Sequence, residues 1–279
     1  MSEDEKSMRD IFSDLAAPVL SDEDPTRRAQ IQMKRPLPKR FYKDVSVEQS
    51  EAGYQILLDG RPVKTPMKSA LVLPTAAAAE IVAAEWRAQV EEINPAKMPA
   101  TRLANTAIDG IAREIDAVAE DIVSFAGTDL LCYRAEHPER LSNLQAKHWD
   151  PVLFWAADAL GARFILAAGV MHQEQPGEAL DAYRRALSDH HAPLALAALH
   201  TITTLTGSAL LALAFAKGKL DAEAAWVAAH VDEDFNIEQW GSDAEAEARR
   251  KARWVEMKTA ADLFGAMHQD QASDRAADM

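Results

Sequence analysis

The densest group of chemically able side chains lies between His230 and Glu247. It holds His230, Asp232, Glu233, Asp234, Glu238, Asp243, Glu245 and Glu247, with Phe235, Ile237 and Trp240 among them. Such a run suits three kinds of chemistry. Asp232, Asp234 and Asn236 fall at the first, third and fifth places of a calcium-loop template, with Asp243 at the last place. The template then meets Ile237 where its sharp turn requires glycine, and Asp rather than Glu at its closing ligand. His230 and Asp234 are spaced to share one helix face, as zinc ligands are, but without an H-E-x-x-H motif. A metal-dependent hydrolase built from His230, Asp232, Asp234 and Glu238 is therefore one alternative. The second use is recognition, in which an aromatic anchor sits inside a charged rim and holds a partner protein. A third reading makes the run a solvated helix face over ordinary core anchors.

Other chemistry has less to work with. No two glycines lie two apart and no G-x-x-x-x-G-K-[ST] occurs, so the standard dinucleotide and P-loop cradles are excluded. Gly207-Ser208 lacks the second glycine of a nucleophile elbow and sits in an apolar run, so the serine reads as a packing residue. Cys132, the single cysteine, has Arg134 nearby, which would lower its pKa, but a buried inert thiol is the plainer expectation.

One cysteine cannot form an internal disulfide, which favours a reducing compartment. The start, Met1-Ser2-Glu3-Asp4-Glu5-Lys6, has neither a secretion signal's apolar core nor a transit peptide's basic character, which suggests a bacterial-type cytoplasmic protein. The formal net charge of -14 supplies no footprint for nucleic acid. The basic clusters at Lys34, Arg35, Lys39 and Arg40 and at Arg249, Arg250, Lys251 and Arg253 read as solvated flanks or helix faces. Between Asp189 and Lys217 no residue carries a formal charge, long enough to test against a membrane. Its histidines, threonines, Pro193 and Gly207 indicate instead a buried helix, or two helices broken near Gly207, and no membrane insertion.

The elements that must position these side chains follow from periodicity. From Phe41, Val45 and Val47 alternate with polar residues, and Tyr54, Ile56 and Leu58 form a second alternating run. Asp59-Gly60 marks a hairpin turn, and short strands are expected around Val63 and over 70–73. Thr75 is a good N-cap for an alanine-rich helix whose face carries Val82, Trp86, Val90 and Ile93. Helices follow over 101–125, with 130–133 a short strand or extended link. The pattern over 141–160 is helical but contains Pro151, which predicts a kink or restart. Further helices are expected over 179–187, 222–239 and 243–264, the last opened by a Ser242/Glu245 capping box. The fold class expected is α+β: a small antiparallel sheet with helices over 39–115, then an all-α domain over 116–264. Flexible tails are expected over 1–38, with a short helix conceivable at 8–15, and over 265–279.

Read together, these segments carry a resemblance. Arg40-Phe41-Tyr42-Lys43, Leu58-Asp59-Gly60-Arg61-Pro62-Val63-Lys64-Thr65-Pro66, Glu85-Trp86 with Gln89, and Pro95 with Met98-Pro99 occur in that order. Leu131-Cys132-Tyr133-Arg134-Ala135, Trp149-Asp150-Pro151, Thr206-Gly207-Ser208 and Asp232-Glu233 to Glu238-Gln239-Trp240-Gly241-Ser242-Asp243 follow. From about Lys39 to Phe264 the chain resembles the assembly chaperones that bind the alpha subunit of the F-type ATP synthase catalytic head. That resemblance implies a two-domain fold, no catalysis, no cofactor, and a monomer that holds unassembled alpha until beta arrives. Carried onto this sequence, it implies a partner surface at Asp232, Glu233, Asp234, Glu238, Trp240, Asp243 and Glu245, and core anchors at Trp86 and Trp149. Asn236 stands where glutamine is expected, which puts that residue's polar contact in question.

Overall fold

The computed structural model describes residues 37–169 and 173–268. The tails expected over 1–38 and from 265, and the helix at 8–15, lie outside these residues except at their inner ends. There Pro38 accepts the N–H of Ile93 at 2.8 Å, and Gly265 and Ala266 complete the last helix instead of fraying. The chain falls into two compact units, one running up to Gly110 and resuming at Ala266, the other Ile111–Gly265.

The first unit is built on a small antiparallel sheet. β1 (Val45–Ser50) pairs with β2 (Gly53–Leu58), Val45 opposite Leu58 and Ser50 opposite Gly53. β3 (Arg61–Pro62) and β4 (Val72–Leu73) both pair with β2, which is therefore central. Strict alternation holds better in β1 than in β2, where Ile56, Leu57 and Leu58 are all buried. Successive strand side chains point to opposite faces, so this end of β2 is covered on both. The Asp59-Gly60 turn has φ of 49° and 75°, the primed-turn geometry that matches strand twist. Asp59 is held there by accepting the N–H groups of Lys43 at 3.0 Å and Asp44 at 2.8 Å.

α1 (Ala76–Arg87) starts where Thr75 accepts the Ala78 N–H at 3.1 Å, as its residue type predicts. Val82 and Trp86 are buried on its inner face. Val90, expected on that face, is instead 79% exposed, because the helix ends at Arg87 and helical spacing no longer applies. α2 (Pro99–Asp109) has no cap of its own; Glu85 on α1 accepts from Ala100 N, Thr101 N and Thr101 Oγ1 at 2.7–2.8 Å. One carboxylate thus satisfies two orphan donors at a helix start and ties α1 to α2. Arg40, expected in a solvated flank, donates to the carbonyls of Tyr42, Lys43 and Gln89, while Tyr42 Oη donates to the Trp86 carbonyl at 2.7 Å.

The second unit is helical: α3 (Ile115–Ala126), α4 (Glu139–Trp155), α5 (Gly177–Leu187), α6 (Pro193–Thr206), α7 (Ala209–Ala216), α8 (Ala222–Ala229), α9 (Val231–Trp240) and α10 (Ala244–Ala266). The uncharged stretch forms α6 and α7, broken at Gly207 with φ of 68°. Among the described residues no helix is long and apolar enough to cross a membrane. Asp129, fully buried, holds that break together: it accepts from Ser208 Oγ at 2.7 Å, Leu210 N at 2.9 Å and Leu131 N at 3.0 Å. The 130–133 stretch opens as a single 3-10 turn, Leu130–Cys132, and only then becomes β5 (Tyr133–Arg134), parallel to β6 (Ala167–Ala168). α4 does not restart at Pro151. It runs on to Trp155 and loosens into a π turn, Ala156–Leu160, ending at Gly161 in the left-handed region. Trp149, Val152 and Leu153 are buried on both sides of the proline, and that packing outweighs one missing N–H.

Candidate functional site

The acidic run of the sequence becomes the corner where α8, α9 and α10 meet. His230 separates α8 from α9. Its Nδ1 lies 2.7 Å from the Trp226 carbonyl and its ring centroid 3.9 Å from that of Trp226. Burial pushes its pKa below the usual imidazole range, against the carbonyl, which raises it. It is a neutral packing residue with Glu233 as a distant neighbour, 3.8 Å from Nε2.

The carboxylates of α9 diverge. Asp232 accepts from Gln145 Nε2 on α4 at 2.7 Å, and Gln145 Oε1 in turn accepts the Ala135 N–H at 2.9 Å. Asp234 pairs with Arg250 on α10. Glu238 pairs with Arg140 on α4 at 2.5 Å, the guanidinium lying 5.7 Å from the Phe235 ring centroid. The four residues of the hydrolase alternative thus reach toward four different neighbours. An α-helix over Val231–Trp240 also cannot wrap an ion as a calcium loop does. Among the described residues no group of three or more His, Cys, Asp or Glu is placed to hold a metal ion. The arrangement argues against metal chemistry and for charge used to orient helices.

What projects from the corner is Trp240, the last residue of α9, at 86% exposure. Gly241, with φ of 83°, then turns the chain, a backbone state that costs glycine little. Asp243, not Ser242, opens α10. Its carboxylate accepts from Glu245 N at 3.4 Å and Ala246 N at 3.3 Å, so the N-cap lies one residue later than expected and, with Ala246 at the third helical position, no capping box forms. Ser242 instead donates to Glu247, and Glu245 pairs with Arg249 one turn on. The surface presents an exposed indole at the end of α9, with the carboxylates of Asp243 and Glu245 following in the chain. Tryptophan joins a large apolar face to one polar N–H, a combination suited to contact with another protein.

Sequence reasoning missed the residues that organise this corner. Arg250 and Arg253 lie on a helix face, one of the two settings expected for them, but the bonds they make there were not foreseen: one holds Asp234 and the other donates to the Leu205 carbonyl at 2.6 Å. Nothing local marked Gln145 or Arg140, since their partners lie 87 and 98 residues away. Trp149 is fully buried and donates its indole N–H to the Ala228 carbonyl at 2.7 Å, and Arg134 lies 5.2 Å from its ring while pairing with Asp150. Trp86 is 1% exposed in the first unit. Cys132 is buried, and desolvation pushes its thiol up to about 12 despite Arg134, so it is no nucleophile at neutral pH.

The model of the ATP12 chaperone protein family matches residues 39–157. The mitochondrial protein atp12 of Schizosaccharomyces pombe is 25% identical over 228 residues, 77% of this chain and 78% of its own. Among solved structures, a candidate chaperone of Agrobacterium tumefaciens is 54% identical with a TM-score of 0.82, covering 94% of this chain and 97% of that one. Atp12 of Paracoccus denitrificans is 41% identical with a TM-score of 0.77, covering 82% of this chain and 98% of that one.

Proposed function

Because this chain belongs to the ATP12 chaperone family, we propose that it is an assembly chaperone of the F-type ATP synthase that holds the unassembled alpha subunit. Alpha without beta exposes an interface built to be buried, and such patches aggregate. A holder needs a complementary surface, moderate affinity, and no bond-making chemistry. It works here as a monomer in a bacterial-type cytoplasm, without nucleic acid, membrane insertion or cofactor, and beta displaces it.

The observation that carries this reading is Trp240: an indole at 86% exposure on a helix end whose neighbouring acids Asp232, Asp234 and Glu238 are tied to α4 and α10. An aromatic anchor on a preorganised base loses little freedom on binding, which is where affinity is gained. The test is direct. Purified full-length protein is mixed with purified alpha subunit, followed by co-purification and light scattering. It is expected to bind alpha and suppress its aggregation; a protein that does neither ends the proposal.

A further inference from the structure

The sheet of the first unit ends on β1, which has a strand neighbour on one side only. Hydrogen bonding shows which backbone groups face the open side. The Asp44 carbonyl accepts the Asp59 N–H at 3.0 Å, so the alternate residues Ser46, Glu48 and Ser50 turn toward β2. Val45, Val47 and Gln49 therefore turn their N–H and C=O groups outward. The Val45 carbonyl is met by Arg87 Nε at 3.3 Å. Among the described residues, nothing bonds the backbone of Val47 or Gln49 on that side. An open edge is a template for another strand, and proteins commonly blunt it with proline, lysine or a bulge. β1 has none of these: it reads Val-Ser-Val-Glu-Gln-Ser, and its register with β2 is unbroken from Val45 to Ser50.

Two features say which strand fits. Residues opposite each other across a pair share a face, so Val45 and Val47 lie on the face of Leu58 and Ile56. The latter two are buried, whereas Val45 and Val47 are only half-buried. An added strand sets every second side chain beside these valines, which selects aliphatic residues there. Its intervening side chains fall beside Ser46 and Glu48, both exposed. Glu48 is the one charge on β1 and has no ion-pair partner among the described residues. Opposite charges across a strand pair stabilise it and like charges destabilise it, so Glu48 selects lysine or arginine.

We propose that β1 takes up an extended segment of a protein client as an added strand, its residues alternating aliphatic and basic, bonded to the backbone of Val47 and Gln49. The client's origin rests on the holding role proposed above; the pairing chemistry is independent of it. This contact belongs to the first unit and uses main-chain bonds where Trp240 uses a side chain.

Full-length protein is titrated with a short fluorescent peptide of alternating valine and lysine. Two controls are the same peptide with its backbone amides methylated and a peptide alternating valine and glutamate. The lysine peptide is expected to bind at least about tenfold more tightly than the glutamate peptide, and the methylated one not at all. Val47→Pro removes an outward N–H and leaves the ladder to β2 intact, a position where an edge strand tolerates proline. It should abolish binding, and Glu48→Lys should turn the preference toward glutamate; thermal unfolding shows that each variant is folded. Equal binding of the lysine and glutamate peptides, undiminished binding of the methylated peptide, or unchanged binding by folded Val47→Pro protein overturns the proposal. So does a parent dimer in sedimentation that Val47→Pro dissolves, which assigns the edge to a second copy of the chain. Alpha-subunit holding is measured in parallel. Edge-dependent peptide binding without alpha holding keeps the strand site and removes alpha as its client; alpha holding with peptide binding indifferent to methylation keeps the client and removes the strand site.

Discussion

Arg140 on α4 donates from one guanidinium nitrogen to both carboxylate oxygens of Glu238 on α9, at 2.5 and 2.6 Å. Both side chains are about half exposed, so the pair contributes little stability, about 0–1 kcal/mol as surface ion pairs do. Its consequence is positional. With Asp232 held by Gln145 and Asp234 by Arg250, three acids of α9 are paired within the fold, and the helix end is tied to two neighbouring helices. The acidity that stands out in the sequence is mostly scaffold. Trp240 is what it presents.

That division predicts how Trp240→Ala behaves. The side chain is exposed, so thermal unfolding should shift by no more than about 0.5 kcal/mol. Binding to alpha should fall by about 2 kcal/mol or more, as for a central aromatic anchor. Calorimetry of unfolding and titration with alpha check the two halves. An equal loss of stability and binding would assign Trp240 to the core instead.

Trp149 predicts the opposite pattern. It is fully buried, and its N–H satisfies the Ala228 carbonyl across α4 and α8. Trp149→Phe keeps most of the apolar burial but orphans that acceptor, costing about 1–3 kcal/mol. Trp149→Ala adds a cavity and should cost about 3–5 kcal/mol. Denaturant unfolding resolves the two, and a smaller loss for alanine than for phenylalanine would contradict the packing described.

The contrast between these tryptophans shows what was legible in the sequence. Local rules worked where one residue type dictates local geometry: the Asp59-Gly60 turn, the Thr75 cap and the Gly207 break. They failed where packing decides. Of the kink or restart expected at Pro151 the restart does not occur, because buried side chains on both sides keep α4 helical, and Asp243 replaces Ser242 as the start of α10. The acidic corner was visible as composition, yet which acids are spent and which project depends on Arg140, Gln145 and Arg250, distant in sequence and unmarked by any motif. Motif residues such as Glu85, Arg40 and Arg134 prove to be helix caps and carbonyl clamps.

Asp129 makes stability depend on pH. Burial pushes its carboxyl up to about 6, against the donors from Leu210, Ser208 and Leu131 that lower it. The unfolded carboxyl titrates near about 3.9. Between these values the folded state keeps a proton that the unfolded state has released. Stability from this group therefore falls as pH rises from about 4 to about 6, by up to about 1.4 kcal/mol per pH unit, and is level above that. Denaturant midpoints across this range, compared with Asp129→Asn, should show the slope in the parent and its loss in the variant. The variant should also be less stable overall, since an amide cannot accept from every donor there. A parent whose stability rises no less steeply than the variant's over this window would refute the assignment.

Cys132 supplies the last prediction and the tool for mapping the client surface. The thiol is buried and pushed up to about 12, so thiol reagents should leave the folded protein unmodified and label it only on unfolding. An engineered cysteine is then the one reactive thiol in the native chain. Gln239→Cys, beside Trp240 on the exposed end of α9, and Ser242→Cys, just past Gly241, should each carry a photoactivatable crosslinker without loss of fold. Both should crosslink alpha in high yield, and Trp240→Ala in the same background should reduce that yield by about tenfold or more, the effect of losing about 1.4 kcal/mol or more of contact. A cysteine on the outer face of α10 at Glu256, away from the α9 end in sequence, gives the comparison. Mass spectrometry of the crosslinked peptides reads the partner's side. Crosslinking that is as strong from Glu256→Cys as from Gln239→Cys, or untouched by Trp240→Ala, would move the client away from this corner.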